Sequence, residues 1–534
     1  MEKDMILIVG GGPAGLIMAI ELLRRKVPVR ILEKRKGPSH TARAMTVHAR
    51  SMEMFHHMGV ASRLEEVCLE CPGNIYHFPG VPDDECPRTD YRVLPTSFPF
   101  YYKISQNDFE QVLREFLYAQ YSMLPEYRTE LVKLVQDGDR VVATIRLPDG
   151  QEEECSYPYV VGCDGVRSFV RDAAGIKFNG EVIAAMAMMD VPLENVTFDD
   201  RWMNYYFNKD LFMNCTKMPG DVWRIYMSEE TGEFVYAKDI RQAFQEVADR
   251  IGIGFKVGVP EWATSWEIRN NIAERYRTGR MLICGDASHV HSPSGGQGMN
   301  GCMQDAFNLG WKLAAVFKGE ADDSILDTYE RERKPIGEQI SNGAMATHHI
   351  VMGFGIEPAE RLPLTKAPGW EQNTIKLVSG LSHNYCDVVQ LPSGLKAVAG
   401  PRAGARAPDC LLTKSPQRRL YDIYRRPQFT LLIVPGADDD ENHIKIGIKA
   451  RDALETKFPG LVSSHMISSN RDSGFDFDHR ARDEQGAVAK LYEIGPEGRL
   501  VLVRPDLYVG VSCVPEDWAA IPKYLEQWYN VAQR

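Results

Sequence analysis

The chain has 534 residues, of which 44% are hydrophobic and 25% charged, fractions typical of a globular protein with a sizeable core rather than of a disordered one. Its formal net charge of −11 argues against nucleic acid as a partner, because phosphate binding needs a basic surface. The sequence predicts no membrane span, since no run of about 18 apolar residues occurs, and no signal peptide. The odd number of cysteines, 11, indicates a reduced, cytoplasmic protein rather than a disulfide framework.

The N-terminal region predicts a strand, a tight turn, a helix and a second strand. Residues 5–10 form a short apolar run that ends in glycine, and helical periodicity follows the glycines. Residues 29–34 predict the second strand, which ends in an acidic residue and a lysine. The pattern is the start of a βαβ unit.

The middle of the chain mixes helical and strand patterns. Residues 107–121 predict an amphipathic helix capped by Asn107 or Asp108. The dipeptide at 149–150, Asp-Gly, lies between two alternating runs and predicts a hairpin. Short alternating segments over 184–266 predict an antiparallel sheet.

The last part begins with another strand-to-helix connection. Residues 279–287 predict a buried strand that leads into a glycine-rich loop, and 301–319 predict a long amphipathic helix. Residues 355–406 are rich in proline and glycine and are interpreted as a linker. Strand-like and helical runs then alternate to the C-terminus, which predicts a small separate α/β domain.

Cysteine spacing predicts no metal site. Cys68 and Cys71 have CxxC spacing, but a zinc site would need a second such pair or a histidine pair. His77 and Cys86 lie nearby at no standard spacing, so we interpret these cysteines as ordinary ones.

The first glycine motif is Gly10-x-Gly12-x-x-Gly15, with Glu33 at the end of the next strand. Gly10 permits a tight turn, Gly12 lets the backbone approach a pyrophosphate, and Gly15 lets helix and strand pack closely. The helix N-terminus offers N–H groups to phosphates, and Glu33 suits a ribose hydroxyl. The motif predicts dinucleotide binding without separating FAD from NAD.

The stretch 284–300, CGDASHVHSPSGGQGMN, has four possible interpretations: a metal site, a catalytic triad, a loop that holds a cofactor, and a plain connection between strand and helix. Asp286 at a strand end can hold a polyol hydroxyl, and the glycine run with the following helix N-terminus can stabilise an anion. His289 and His291 are two residues apart on a loop without a third ligand, which argues against a metal.

The segment 160–171, VVGCDGVRSFVR, has two interpretations that its residues alone do not separate. It is either a strand-to-helix turn capped by Ser168 or a loop that faces a dinucleotide phosphate with an arginine as partner.

Together, GGGPAG, CDGVRSFVR and CGDASHVHSPSGGQGMN resemble the single-component FAD-dependent aromatic hydroxylases, the p-hydroxybenzoate and phenol hydroxylase type of class A flavoprotein monooxygenase. Residues 43–55, 104–113 and 329–335 also match, so the resemblance covers about residues 5–345. From about residue 399, GARAPDCLL and VRPDLYVG resemble the thioredoxin-like C-terminal domain of the phenol hydroxylase branch, without a CxxC.

The resemblance implies an α/β protein with three domains. A Rossmann-like, glutathione-reductase-like FAD-binding domain would comprise 1–180 and 270–355. An inserted antiparallel-sheet substrate domain would comprise 181–269 with contributions from about 73–105. A linker, 356–398, would lead to the thioredoxin-like domain, 399–534.

The resemblance also implies FAD as the cofactor, with Asp286 on the ribityl chain and the residues before Asn300 at the pyrimidine edge of the flavin. The cofactor-binding residues that it implies are Gly10, Gly12, Pro13, Ala14, Gly15, Glu33, Lys34, Arg43, Gln106, Asp164, Asp286, Pro293, Gly296, Gly298, Met299 and Asn300.

In the family, NADPH or NADH reduces FAD, and dioxygen then forms a C4a-hydroperoxyflavin that hydroxylates a phenolic substrate. The motifs demand no catalytic base; His48, Tyr206, Arg224 and His291 are pocket candidates, each with a structural role as the competing interpretation. The alternatives are a Baeyer–Villiger or epoxidising monooxygenase acting on a polyketide-like aromatic, and a non-catalytic flavin-binding protein. The implied partner is a small aromatic molecule, with no nucleic acid or membrane, and a homodimer is left open.

Overall fold

The computed structural model describes residues 4–39, 43–414, 417–436, 440–468, 480–483 and 485–529. The helices of these residues are α1 (Pro13–Leu23), α2 (Ala49–Met58), α3 (Ala61–Glu65), α4 (Gln106–Tyr121), α5 (Phe169–Ala173), α6 (Ile240–Ile251), α7 (Gly298–Phe317), α8 (Asp327–Val351), α9 (Pro358–Thr365), α10 (Trp370–Ser379), α11 (Leu420–Ile423), α12 (Glu441–Lys457), α13 (Ala487–Leu491) and α14 (Ala520–Leu525). None of these described helices is both long and apolar enough to cross a membrane.

The strands, in chain order, are β1 (Ile6–Val9), β2 (Val29–Glu33), β3 (Thr46–Val47), β4 (Leu69–Cys71), β5 (Gly73–His77), β6 (Arg88–Asp90), β7 (Tyr101–Lys103), β8 (Glu126–Tyr127), β9 (Glu130–Asp137), β10 (Arg140–Arg146), β11 (Glu152–Tyr157), β12 (Val160–Gly162), β13 (Phe178–Val191), β14 (Leu193–Glu194), β15 (Met203–Phe207), β16 (Leu211–Lys217), β17 (Trp223–Glu229), β18 (Lys256–Val257), β19 (Trp262–Ala273), β20 (Arg277–Thr278), β21 (Met281–Ile283), β22 (His289–Val290), β23 (Leu411–Lys414), β24 (Gln417–Arg419), β25 (Phe429–Val434), β26 (Val462–Ser468), β27 (Arg480–Arg482), β28 (Arg499–Val503) and β29 (Val509–Cys513).

The first sheet has the order β20-β21-β12-β1-β2-β8, and its strands from β21 to β8 run parallel. Its central strand β1 is buried along its whole length, as its uninterrupted apolar sequence predicts for a parallel strand covered on both faces. Helix α1 packs against α7, so two helices that follow glycine-rich loops lie together on this sheet. The mixed α/β class and the predicted strand–helix–strand start are confirmed.

The predicted hairpin is present between β10 and β11, and Gly150 has φ +88°, in the left-handed region that its turn requires.

Helix α4 begins one residue earlier than predicted. Its N-cap is Ser105, whose hydroxyl accepts a hydrogen bond from the Asp108 backbone N–H at 3.1 Å. The prediction that Asn107 or Asp108 caps this helix is therefore wrong, because both residues already belong to its first turn.

The antiparallel sheet has eight strands in the order β22-β19-β13-β17-β16-β15-β5-β6. One face packs on α6, where Phe244 and Val247 contact a core that includes Met213 and Ile225. This helix falls inside the region predicted as strands only. Its residues 240–251 carry a helical apolar spacing between the N-cap Asp239 and a glycine with φ +89°.

Two helices, α9 and α10, occupy the segment interpreted as a linker. Trp370 of α10 lies edge-on to Tyr76 of the eight-stranded sheet, with ring centres 5.5 Å apart.

The C-terminal unit has a five-stranded sheet in the order β27-β26-β25-β28-β29. Of the helical runs predicted in this unit, the last contains the short helix α14, and residues 530–534 lie outside the described residues.

Buried ion pairs join the C-terminal unit to helix α8. Arg504, beyond β28, contacts Glu332 of α8 at 2.7 Å and Asp506 at 2.6 Å, and Lys312 of α7 contacts Glu332 at 2.7 Å. The side chains of these four residues are at most 5% exposed. The C-terminal unit is therefore docked by charge on Glu332 of α8, and Lys312 links α7 to the same network.

Candidate active site

Three loops that the sequence singles out leave the parallel sheet at one edge. Strands β1, β12 and β21 lie side by side, with Val9 opposite Gly162 and Gly162 opposite Ile283. The GxGxxG, CDG and CGD motifs begin directly after these residues. Open α/β sheets bind ligands at the carboxyl ends of their strands, so the three motifs converge where a ligand site is expected.

The glycines of the first motif have different surroundings. Gly10 has φ +108°, and a Cβ there would lie 2.3 Å from the Cys163 carbonyl oxygen. A Cβ at Gly15 would lie 1.9 Å from the Gly10 carbonyl oxygen. At Gly12, with φ −81° and ψ −173°, a Cβ would meet no described atom within 4 Å. The backbone of Gly12 thus borders open space at the N-terminus of α1, as a pyrophosphate cradle requires.

Glu33 at the end of β2 is an ionised acceptor beside this motif. Its Oε2 accepts hydrogen bonds from the Gly11 N–H at 2.9 Å and the Arg35 guanidinium at 3.0 Å, and its Oε1 accepts from the Arg35 N–H. Burial raises the pKa of Glu33, but the hydrogen bonds from Arg35 and Gly11 outweigh it and hold that pKa below its ordinary value.

Other predicted cofactor residues lie around the same edge. Pro13 begins α1, Ala14 and Met299 are buried, and Lys34 is exposed. Gln106 begins α4, and its amide donates to Glu110 at 2.8 Å.

Asp286 presents an exposed carboxylate next to the first motif. The Cys302 thiol donates to its Oδ1 at 3.2 Å. The preceding Gly285 has φ +69°, and a Cβ there would lie 3.1 Å from the Cβ of Ala14 and 3.0 Å from that of Cys302. The charge of Asp286 also acts on Arg43, where burial lowers the pKa of the guanidinium and Asp286 opposes that shift.

The CDG loop is a capped strand-to-helix turn. The Asp164 carboxylate accepts hydrogen bonds from the backbone N–H groups of Phe169 at 2.7 Å and Val170 at 3.1 Å, and Ser168 accepts one from the Arg171 N–H at 3.0 Å. The capping role of Ser168, one of the two interpretations, is confirmed. Burial raises the pKa of Asp164, and its oxygens are used within the loop.

Arg171 is turned inward from the same loop. Its guanidinium donates to the carbonyl oxygens of Val166 at 3.0 Å and Ala287 at 3.3 Å and lies 4.1 Å from the ring centre of Phe178. It therefore fastens the CDG loop to the loop that carries Asp286.

Asn300 in the first turn of α7 locks the glycine-rich loop. Its Oδ1 accepts from the His48 N–H at 2.9 Å and the Ser51 hydroxyl at 2.7 Å, and its Nδ2 donates to the Thr46 and Gly296 carbonyl oxygens at 3.0 Å. These four bonds use the side chain's capacity, so Asn300 can contact a cofactor only through its backbone.

The N-terminus of α7 suits an anionic group. The N-cap residue is Gln297, and its side-chain amide donates to the Leu377 carbonyl at 2.8 Å instead of capping the helix. No other described side chain caps the helix. A Cβ at Gly298 would meet no described atom within 4 Å. Pro293 is exposed, and its carbonyl accepts from the Gly296 N–H. The first-turn N–H groups and the positive end of the helix dipole therefore border open space.

His48 and His291 are neutral and have fixed tautomers. His48 Nε2 donates to the Gly296 carbonyl and His291 Nδ1 to the Ser292 carbonyl, both at 2.9 Å, because a carbonyl only accepts. The other ring nitrogens are buried and have no partner among the described residues. Burial lowers the pKa of each histidine to about 4.

We expect the free energy of unfolding to fall as the pH is lowered. A histidine with an unfolded pKa of 6.5 and a folded pKa of about 4 takes up its proton first in the unfolded chain. The loss begins below pH 6.5, grows by about 1.4 kcal/mol per pH unit for each such histidine, and stops below pH 4. Denaturant titrations across this window measure it, and His48→Gln should reduce the slope by one proton. An unchanged slope would contradict the burial of a neutral ring.

The aromatic side chains of β15 divide between the two faces of the eight-stranded sheet. Tyr205 stacks on Tyr76 with ring centres 5.3 Å apart and shares a cluster with Tyr226, Tyr101 and Met45. The sheet face that carries Tyr205 therefore packs against the segment that contains His48. Neighbouring residues of a strand point to opposite faces.

Two pocket candidates hold structural contacts. Tyr206, on the opposite face from Tyr205, stacks on His77 with ring centres 4.1 Å apart. Arg224 forms two hydrogen bonds of 2.7 Å to the Asp190 carboxylate and donates to the Ala44 carbonyl at 2.9 Å. Both fit the structural interpretation that competed with a pocket role.

Sequence reasoning missed a buried ion network that involves His289 of the 284–300 stretch and the helix that follows it, α7. Asp305 of α7 binds His289 Nε2 at 2.8 Å and Arg333 Nε at 2.7 Å. Burial raises the pKa of Asp305, but the charges of Arg333 and His289 outweigh this effect and hold that pKa below its ordinary value. Arg333 lies in the 329–335 segment, so a signal existed, although nothing in the sequence pairs it with Asp305.

Comparisons with known proteins agree with this geometry. A family described as "FAD binding domain" matches residues 3–344. Pentachlorophenol 4-monooxygenase of Sphingobium chlorophenolicum is 39% identical over 508 residues, which cover 94% of this chain and 93% of that protein. 6-Methylpretetramide 4-monooxygenase of Streptomyces rimosus is 35% identical over 96% of this chain and 91% of that protein.

Among solved structures, the OxyS anhydrotetracycline hydroxylase from Streptomyces rimosus is 26% identical, with a TM-score of 0.77 and coverage of 98% of this chain and 99% of that one. The flavin-dependent monooxygenase PieE in complex with FAD and substrate has a TM-score of 0.81 at 24% identity over 98% of this chain and 99% of that one, and it shows the shared fold. The chain belongs to the FAD binding domain family and is an FAD-dependent aromatic monooxygenase.

Proposed function

We propose that this monooxygenase hydroxylates a phenolic ring held between the 292–300 loop and the sheet face that carries Tyr205 and Tyr226. The observation that carries the proposal is the shared cluster of these tyrosines with Met45 and Tyr101, beside His48 and the uncapped N-terminus of α7. Aromatic walls suit an aromatic substrate, and a dry site limits unproductive loss of the oxidant.

The residues at the strand ends fit FAD. The open backbone at Gly12 would take the pyrophosphate, Glu33 the adenosine ribose and the Asp286 carboxylate the ribityl hydroxyls. The α7 N-terminus would face the flavin ring, where its dipole stabilises negative charge. When bound, FAD supplies the redox chemistry that accepts a hydride from NAD(P)H and activates dioxygen.

The chain's own residues orient the substrate and exclude water. The bare Nδ1 of His48 would accept a hydrogen bond from the phenol hydroxyl, since its Nε2 proton is held by Gly296. A phenol that shares its proton with a ring nitrogen is more electron-rich at the carbon to be oxygenated.

The domain assignment extends this proposal. We infer that β1, β12 and β21 belong to a Rossmann-like FAD-binding domain, with the eight-stranded sheet as the inserted substrate domain. In the C-terminal unit, β26 is parallel to β25, β28 is antiparallel to β25 and β29 is antiparallel to β28, an arrangement that fits a thioredoxin-like domain. With no CxxC in that part of the sequence, its role is structural rather than redox.

The experiment is a substrate panel on purified FAD-loaded protein. We expect NADPH or NADH oxidation to accelerate with a phenol, among chlorophenols and tetracyclic polyketide phenols, and the product to gain one oxygen atom on the ring. Hydrogen peroxide release measures uncoupled turnover. Failure of every phenol, combined with an ester or lactone product from a ketone, would contradict hydroxylation and establish the Baeyer–Villiger alternative.

A further inference from the structure

A cluster of three ligand-type side chains lies outside the flavin site, at the edge of the eight-stranded sheet. His77 ends β5, and Asp83 and Cys86 lie in the loop that leads to β6. Their Nδ1, carboxylate and Sγ atoms all lie within 4.8 Å of one another. His77 and Cys86 are buried, whereas the Asp83 side chain is 79% exposed, so the cluster opens to solvent on one side.

The tautomer of His77 is fixed by Asn204. The Asn204 amide nitrogen donates to the carbonyl oxygens of Asp199 at 2.9 Å and Trp202 at 3.2 Å, which leaves its Oδ1 as an acceptor. His77 Nε2, 2.9 Å from that Oδ1, must therefore carry the proton. The ring plane is held by Tyr206, stacked at 4.1 Å and 8°. In the neutral ring, Nδ1 is thus a bare lone pair.

This lone pair faces the Asp83 carboxylate, which cannot donate to it, and the Cys86 thiol, which is at the distance limit of a weak S–H hydrogen bond. Asp83 Oδ1 lies 3.1 Å from Nδ1, and Cys86 Sγ lies 4.0 Å away. Two acceptor lone pairs at hydrogen-bond distance repel each other unless a cation lies between them. A metal ion bound by the nitrogen, the carboxylate and the sulfur supplies that cation.

We propose that His77, Asp83 and Cys86 bind Zn²⁺ in an open, three-ligand site that also ties the 78–87 loop to the sheet edge. Nitrogen, sulfur and carboxylate oxygen are the ligand set that Zn²⁺ takes, at bonds of about 2.0–2.3 Å, with a water at the fourth position. Asn204 then plays the outer-shell role of orienting a histidine ligand through its other nitrogen. As the S–Zn bond forms, the S–H bond of Cys86 breaks and its proton passes to solvent.

The test uses the full-length, FAD-loaded protein after treatment with a chelator. We expect one Zn²⁺ per chain after dialysis against Zn²⁺, and with Co²⁺ we expect tetrahedral d–d absorption to the red of the flavin bands. Cys86→Ser and Asp83→Asn should each weaken metal affinity by more than the roughly 10- to 100-fold that an outer-shell change costs. Zn²⁺ should also raise the melting temperature of the unmodified protein but not that of Asp83→Asn.

The matched control is Asp84→Asn, since Asp84 is the exposed neighbour of Asp83 and lies outside the cluster. It should keep the metal and the FAD content of the unmodified protein. Because Asp83 is exposed, Asp83→Asn decides the question even where Cys86→Ser fails to fold. A metal-free chain, or equal metal content in Asp83→Asn and Asp84→Asn, would overturn the proposal.

Discussion

Gly12→Leu should bind FAD roughly 10- to 100-fold more weakly, because overfilling a close-packed site costs about 1–3 kcal/mol. The backbone of Gly12 is extended, so leucine can adopt its φ and ψ, and no described atom lies within 4 Å of the new Cβ. The side chain would therefore enter the open space that we assign to the pyrophosphate and leave the fold unstrained.

The measurement is the dissociation constant of FAD for the deflavinated protein, from quenching of flavin fluorescence, together with circular dichroism of the apoprotein. Gly254→Leu is the matched control, since Gly254 also has open space at its Cβ and lies in the loop between α6 and β18, outside the glycine motifs. It should bind FAD normally. Equal FAD affinity in the two variants would place the pyrophosphate elsewhere and remove the main support for the cradle.

The convergence of the three glycine motifs could be predicted because each follows an apolar strand, and parallel strands bring their carboxyl ends to one edge. Local chemistry also predicted Asp286 as an available carboxylate at a strand end and gave the Ser168 cap as one of two interpretations, which the structure then separated. These features depend on a few neighbouring residues, so much of their signal lies in the local sequence.

Features that depend on distant pairings could not be predicted. Tyr205 and Tyr206 are adjacent, and only the register of β15 against β5 shows that Tyr205 lies opposite Tyr76 and Tyr206 opposite His77. A shift of one residue would exchange their faces. The Asp305–Arg333 pair and the His77 cluster likewise join residues whose separation in sequence carries no pattern.

Glu332→Ala should lower the free energy of unfolding by about 3–5 kcal/mol, the cost of removing one partner from a buried ion pair. Glu332 accepts hydrogen bonds from Arg504 at 2.7 and 2.8 Å, from Lys312 at 2.7 Å and from Asn308 at 2.8 Å. Burial raises the pKa of Glu332, but the charges of Arg504 and Lys312 outweigh it and lower that pKa far below its ordinary value. Without the carboxylate, Arg504 keeps Asp506, whereas the buried Lys312 loses its only ion-pair partner among the described residues.

Denaturant unfolding with limited proteolysis measures this effect, because the network joins the C-terminal unit to α7 and α8. We expect the variant to unfold at lower denaturant and to release a C-terminal fragment faster. Glu338→Ala, on the exposed side of the same helix, is the control and should stay within about 0.5 kcal/mol of the unmodified protein. Similar losses in both variants would show that helix α8 itself, and not the charge of Glu332, sets the stability. A loss confined to Glu332→Ala with unchanged FAD affinity would show that the charge network docks the C-terminal unit without altering the FAD site.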